Sequence, residues 1–213
     1  MMNNTKHEMA RKLLDIKAVR LQPTAPFTLA SGWKSPIYCD NRLTLSYPEV
    51  RSYIAAELAK MVRALYPDAT MICGVATGAI ASGVLVADRL GLPFCYVRGK
   101  AKDHGQGNQI EGNVSPDDRV VVIEDLISTG GSSLKAVEAL RNAGLNVLGM
   151  VANYTHRFAQ AEEAFGQAGV VLHTLTDYDA LIEEAVRSGY VTEEDLSVLK
   201  EWRQAPDVWR KEE

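Results

Sequence analysis

The sequence has little cysteine: Cys39, Cys73 and Cys95 are the whole complement. They form no CxxC pair and their number is odd, so neither a disulfide framework nor a cysteine-built zinc site is expected. Two of them sit in apolar runs, and reduced, mostly buried thiols are expected. The four histidines (His7, His104, His156 and His173) show no metal-ligand spacing, and there is no HExxH. A Walker-type GxxxxGK[ST] loop and a GxSxG elbow are missing too. No GxGxxG follows a strand; Gly105 and Gly107 lie in a polar stretch without a third glycine. No run approaches the ~18–20 apolar residues of a membrane span. The opening MMNNTKHEMARKLL lacks an apolar signal core, so a cytoplasmic protein is expected. The net charge of −4 gives no global attraction to nucleic acid or an anionic membrane, so neither is expected as a partner. An anionic ligand must therefore be held by a local cluster of donors.

What is present fits one domain over 1–213 with a small appendage. A chain of this size buries roughly 70% of its unfolded surface and needs no covalent staple. Met71–Val75 and Phe94–Val97 read as buried strands. A helix from about Ile80 to Leu90 lies between them, stopped by Gly91 and Pro93. Residues 101–118 (AKDHGQGNQIEGNVSPDD) are polar, glycine-rich and aperiodic, which predicts a long functional or disordered loop. The clearest strand, RVVVIEDL, opens at Arg119. A helix over Gly131–Asn142, a strand over Asn146–Val151, a helix near Ala159–Gln167, a strand over Val170–Leu175 and two further helices follow. This alternation predicts an α/β fold with a central, mostly parallel sheet flanked by helices and ligands at the strands' carboxyl ends. The core is placed at roughly 68–176. Residues 1–50, with turn signals at Ser31-Gly32 and Ser35-Pro36, are expected to form a hood together with the C-terminal helices.

The chemistry concentrates in VVVIEDLISTGGSS (120–133). An apolar strand ends in two carboxylates, Glu124 and Asp125, then Leu126 and Ile127. Ser128, Thr129, Gly130, Gly131 and Ser132 run straight into a helix. Glycines let backbone N–H groups approach an anion, hydroxyls add donors, and the helix start contributes unpaired N–H groups and its positive dipole end. That suits a terminal phosphate. Carboxylates would repel it, but as pure acceptors they suit vicinal sugar hydroxyls. A ligand with a phosphate at one end and free ribose hydroxyls beside it satisfies both halves.

This string resembles the PRPP-binding signature of type I phosphoribosyltransferases. The resemblance implies that family's fold, with a small N-terminal hood, and PRPP as substrate with Mg²⁺ bound mainly through it. Two further segments resemble orotate phosphoribosyltransferases. The first is FTLASGWKSPIY (27–38), where Lys34 would meet the pyrophosphate or orotate region, and Ile37 and Tyr38 would lie near the pyrimidine. On the residues alone, a solvated turn lysine and ordinary core packing of Tyr38 stay open. The second is YVRGKAKDHG (96–105), where Arg98, Lys102 and His104 match a basic loop that closes over pyrophosphate, often in the partner subunit of a homodimer. Gly99 stands where many relatives have lysine, which weakens the match at Lys100.

Lys102, His104 and Asp125 are the expected catalytic residues. Cations at the leaving group stabilise charge separation as pyrophosphate departs. GVATGA (74–79) resembles the family's pyrophosphate loop but lacks the lysine some relatives carry, leaving backbone N–H groups of Thr77–Ala79 for the task. Ser128 and Arg157 are the remaining expected orotate contacts, arginine being suited to bidentate carboxylate binding. The implied activity is transfer of the phosphoribosyl group from PRPP to orotate in pyrimidine (UMP) biosynthesis. A purine or uracil phosphoribosyltransferase would lack SGWKSPIY and the RGKAKDHG loop. A PRPP-sensing nucleic-acid regulator would favour a basic face, against the net charge.

Overall fold

A computed structural model describes residues 2–29, 32–99 and 109–210. Lys102, His104 and Lys100 lie outside the described residues. The chain divides into two compact units, Pro48–Leu175 and the pairing of Met1–Tyr47 with Thr176–Glu213.

The first unit is built on consecutive buried β-branched runs, the pattern of a parallel sheet covered on both faces. Strands β5 (Met71–Val75), β6 (Phe94–Val97), β8 (Arg119–Ile127) and β9 (Asn146–Thr155) lie parallel in the order β9-β8-β5-β6. At one edge β7 (Ile110–Glu111) joins β6 antiparallel, and at the other β10 (Leu172–Asp177) follows β9. Helices α2 (Pro48–Leu65), α3 (Ile80–Leu90), α4 (Gly131–Asn142) and α5 (Ala159–Gln167) connect them. Alternation along β8 sends Val120 and Val122 into a core with Ala136, Val137 and Leu140 of α4 and Phe165 of α5. Each such aliphatic side chain contributes about 1.5–3 kcal/mol by leaving water. Gly91 caps α3 in the left-handed conformation, as its place before Pro93 predicts.

In the second unit, β1 (Val19–Leu21) pairs with β4 (Ile37–Cys39), and β2 (Phe27–Thr28) pairs with β3 (Lys34–Ser35), both antiparallel. A short 3-10 helix (Asn41–Ser46) follows. Helix α1 (Met2–Asp15) packs on α6 (Tyr178–Arg187), with Lys6 Nζ 2.6 Å from Asp177 Oδ2. Thr192 and Asp195 form a capping box that starts α7 (Glu193–Gln204).

Several boundaries differ from expectation. Helix α2 carried no signal that was singled out. β9 runs four residues past Val151, because buried Asn153, Tyr154 and Thr155 continue its ladder with β8. β10 lies two residues later than Val170–Leu175. The polar stretch after Ala101 contains β7. Cys73 and Cys95 are buried register partners on β5 and β6, Cys39 is partly buried, and none of the three forms a disulfide.

Candidate functional site

β5 and β8 are adjacent and parallel, so their carboxyl ends lie side by side. Each runs through a short turn into a helix whose first residue is preceded by no side-chain cap: Ala79 before α3 and Gly130 before α4. Uncapped helix starts present unpaired N–H groups, so the two together can hold two anionic groups.

The turn after β8 has a reason for its glycine. Gly130 has φ +82°, and a Cβ there would stand 2.8 Å from the Phe165 ring. Ser128 is exposed, Thr129 half-buried, and Gly131 and Ser132 exposed, while Leu126 is half-buried and Ile127 is in the core. The loop surface is therefore made of hydroxyls and glycines, as the sequence predicts. In the turn after β5, a cis peptide joins Ala76 to Thr77, Thr77 is exposed, and Gly78 meets the Asp125 carboxylate so closely that a Cβ would overlap it. Asp125 thus faces the space between the two helix starts.

Glu124 is the more deeply buried of the two carboxyls, and its side chain still interacts with that of Asp125. It shares the α4 side of β8 with Val120 and Val122 and is only 4% exposed. Its Oε1 accepts from the Asp125 N–H at 2.9 Å and its Oε2 from Ser133 Oγ at 2.8 Å. Burial, and then the neighbouring Asp125 charge, push its carboxyl up to about 8. The sequence expectation placed both carboxylates on ribose hydroxyls; Asp125 is half-buried, while Glu124 is held by Ser133 and the Asp125 N–H.

Arg98 follows β6. Its N–H donates to Gln109 O at 2.9 Å, Gln109 Nε2 donates to Arg98 O at 2.8 Å, and its guanidinium is 3.5 Å from Glu111. These bonds fix both ends of the segment that contains Lys102 and His104. Arg157 follows β9 with φ +54°, an uncommon conformation for a side-chain-bearing residue. Its N–H donates to Thr155 Oγ1 at 3.0 Å and its Nε lies 3.2 Å from Glu162. Beside it His156 is buried, its N–H bonded to Ile127 O at 3.0 Å, its Nδ1 3.1 Å from the Tyr154 hydroxyl and its ring stacked on Phe158. Burial lowers its pKa to about 3, so the imidazole is neutral.

In the other unit, Lys34 sits on β3 opposite Thr28. Tyr38 is partly exposed, 5.7 Å from the Phe27 ring, with the Arg20 guanidinium 5.0 Å from its centroid. Ile37 is 2% exposed and pairs with Leu21.

Two residues at the site, Ser133 and Asn153, carried no sequence assignment, and Gly78 was expected to offer only its backbone N–H. Gly78 and Ser133 are given further meaning by their neighbours Asp125 and Glu124. Asn153 is 2% exposed, stands beside Asp125 in the β8–β9 register, and its Oδ1 accepts no hydrogen bond among the described residues. A polar residue inside a strand's apolar run was the available signal. Among the described residues no three His, Cys, Asp or Glu side chains converge as a metal cage. One half-buried carboxylate between two anion-binding turns fits an ion carried on phosphate oxygens.

Residues 50–169 match the family model described as a phosphoribosyl transferase domain. The chain is 61% identical over 201 residues to the orotate phosphoribosyltransferase of Porphyromonas gingivalis, covering 94% of this chain and 96% of that one. Among solved structures it is similar to orotate phosphoribosyltransferase from Aeropyrum pernix (TM-score 0.74, 30% identity, 86% of this chain and 99% of that one). It is also similar to Leishmania donovani UMP synthase (TM-score 0.78, 29% identity, 93% of this chain), of which it spans 42%.

Proposed function

Since this chain belongs to the phosphoribosyl transferase family, among the orotate phosphoribosyltransferases, we propose a division of labour among its residues for that family's reaction. The enzyme transfers the 5-phosphoribosyl group of PRPP to orotate, giving orotidine 5′-monophosphate and pyrophosphate on the route to UMP. The observation that carries the residue assignment is the pair of uncapped helix starts on adjacent strands with Asp125 between them. PRPP has the matching outline: a phosphate at one end, a diphosphate at the other and ribose hydroxyls between.

Ser128 to Ser132 hold the 5′-phosphate, with Leu126 and Ile127 carrying the chain into that loop. Asp125 accepts from the ribose hydroxyls, and the Thr77–Ala79 amides take the diphosphate. Glu124 is assigned to the ribose hydroxyls with Asp125. As the C1–O bond to pyrophosphate breaks, positive charge grows on the ribose and negative charge on the leaving group, while the orotate ring nitrogen bonds to C1. Lys102 and His104, with Arg98 at the base of their loop, are assigned to that leaving charge. Lys34, Ile37, Tyr38, Ser128 and Arg157 are assigned to orotate by resemblance; Ile37, being buried, acts through packing rather than contact.

The family works on PRPP with Mg²⁺. When bound, the ion neutralises diphosphate charge, and we place it mainly on PRPP oxygens. A homodimer in which each 100–108 segment serves the neighbouring site, and a cytoplasmic location, complete the reading. Among the described residues no helix is long and apolar enough to cross a membrane.

Loss of orotate absorbance tests the assignment, with PRPP and Mg²⁺ present and uracil, hypoxanthine and adenine as competitors. Orotate should be consumed only when both PRPP and Mg²⁺ are supplied, and Lys102→Ala should be crippled, by about 10²-fold or more. Consumption of another base with orotate untouched would overturn the orotate assignment. An unimpaired Lys102→Ala would remove the loop from the chemistry.

A further inference from the structure

One buried contact next to Asp125 has no task in the reaction as assigned. Ser133 Oγ donates to Glu124 Oε2 across nine positions of sequence, from the first turn of α4 to the end of β8. Glu124 precedes the phosphate loop and Ser133 follows it, so the bond clasps the loop at its two ends. Water does not compete for it, since Ser133 is 1% exposed. The same carboxyl accepts the Asp125 N–H, so the clasp also bears on the backbone that carries Asp125. A hydrogen bond in a low-dielectric interior is stronger than one at the surface, and a buried group left without its partner is costly.

We propose that Ser133 is a positioning residue for PRPP: through Glu124 it fixes the spacing between the sugar-binding Asp125 and the phosphate-binding start of α4. The inference rests on the assignment of Asp125 and Ser128–Ser132 to PRPP. Its consequence is specific. A ligand that spans both groups depends on their spacing, whereas a lone phosphate bound at the loop does not.

The test compares PRPP and inorganic phosphate binding by calorimetry in wild type, Ser133→Ala and Ser133→Thr, with steady-state kinetics alongside. Loss of one buried hydrogen bond predicts about tenfold weaker PRPP binding in the alanine variant. Phosphate binding should stay near wild type, and KM for PRPP should rise more than kcat falls. Threonine keeps the hydroxyl and should restore most of the PRPP affinity. Should the alanine variant fail to fold, Ser133→Cys, similar in size but a weaker donor, takes its place with the same expectation. PRPP and phosphate affinities falling in parallel would show a merely structural role and overturn the proposal. So would a variant equal to wild type, or a threonine variant no better than alanine. Wild type that binds no PRPP would instead remove the underlying assignment.

Discussion

Glu124 and His156 are both buried, both neutral near pH 7 for the same reason, and opposite in their effect on stability. Burial, and then the Asp125 charge, raise Glu124 from an ordinary 4.5 to about 8. Between those values the folded protein keeps a proton that the unfolded chain has released. The contribution is therefore full below about pH 4.5 and is lost as pH rises through 8. Burial lowers His156 from 6.5 to about 3, so the unfolded chain takes up a proton that the folded one refuses. That contribution is present above pH 6.5 and lost as pH falls towards 3. The two slopes oppose each other between pH 4.5 and 6.5, so the wild-type profile alone hides both. Glu124→Gln should separate them. Its stability by urea unfolding, relative to wild type, should improve from pH 5 to pH 8 by about 1–2 kcal/mol, since the amide cannot ionise. Parallel profiles for variant and wild type would mean that Glu124 is already ionised in the folded protein.

At the scale of elements, the turn between β5 and α3 meets β8 at Gly78, which lies against the Asp125 carboxylate. A methyl there collides with the end of a side chain that can move aside, not with backbone. Gly78→Ala should therefore leave the thermal midpoint nearly unchanged while turning Asp125 from the site. A displacement of about 1 Å suffices for roughly a 10²-fold loss of kcat/KM. A large fall in stability, or full activity, would refute that account. Gly130→Ala is different, because its φ of +82° and its contact with Phe165 bear on the fold itself. The elements around these turns were legible in the sequence. β5, β6, β8, α3 and α4 are apolar runs and helices ended by Gly91 and Gly144, and those stops are local chemistry. The sequence reading predicts no helix over α2, and the end of β9 reads as loop because buried Asn153 and Thr155 are polar. β7, two residues long, has no periodicity to read. The string from Glu124 to Ser132 was equally legible, being continuous. Ser133 and Gly78 as neighbours of its two carboxylates are not legible there, since these contacts depend on packing between elements.

For the whole molecule, the open geometry is which site each 100–108 segment serves. The sheet order β8-β5-β6-β7 places its two anchors, Arg98 after β6 and Gln109 before β7, at one edge, whereas Asp125 ends β8. β8 and β6 are two strand spacings apart, about 10 Å. Nine residues pinned at both ends can carry their middle roughly 15 Å from the anchors, which permits reach to the site of the same subunit. The resemblance assigns the neighbour, and subunit mixing decides. On the proposed assignment, Lys102→Ala and Asp125→Asn should each inactivate a homodimer. If loops act across a two-fold dimer, a hybrid has one site with both residues intact and one with neither. With equal, randomly reassorted subunits, half the dimers are hybrids and half their sites are intact, giving about a quarter of wild-type activity. If each loop serves its own subunit, every hybrid site carries one lesion and mixing restores nothing. Sedimentation of the mixture must show dimers for either result to be read; a monomer with full activity would abolish the cross-subunit arrangement outright.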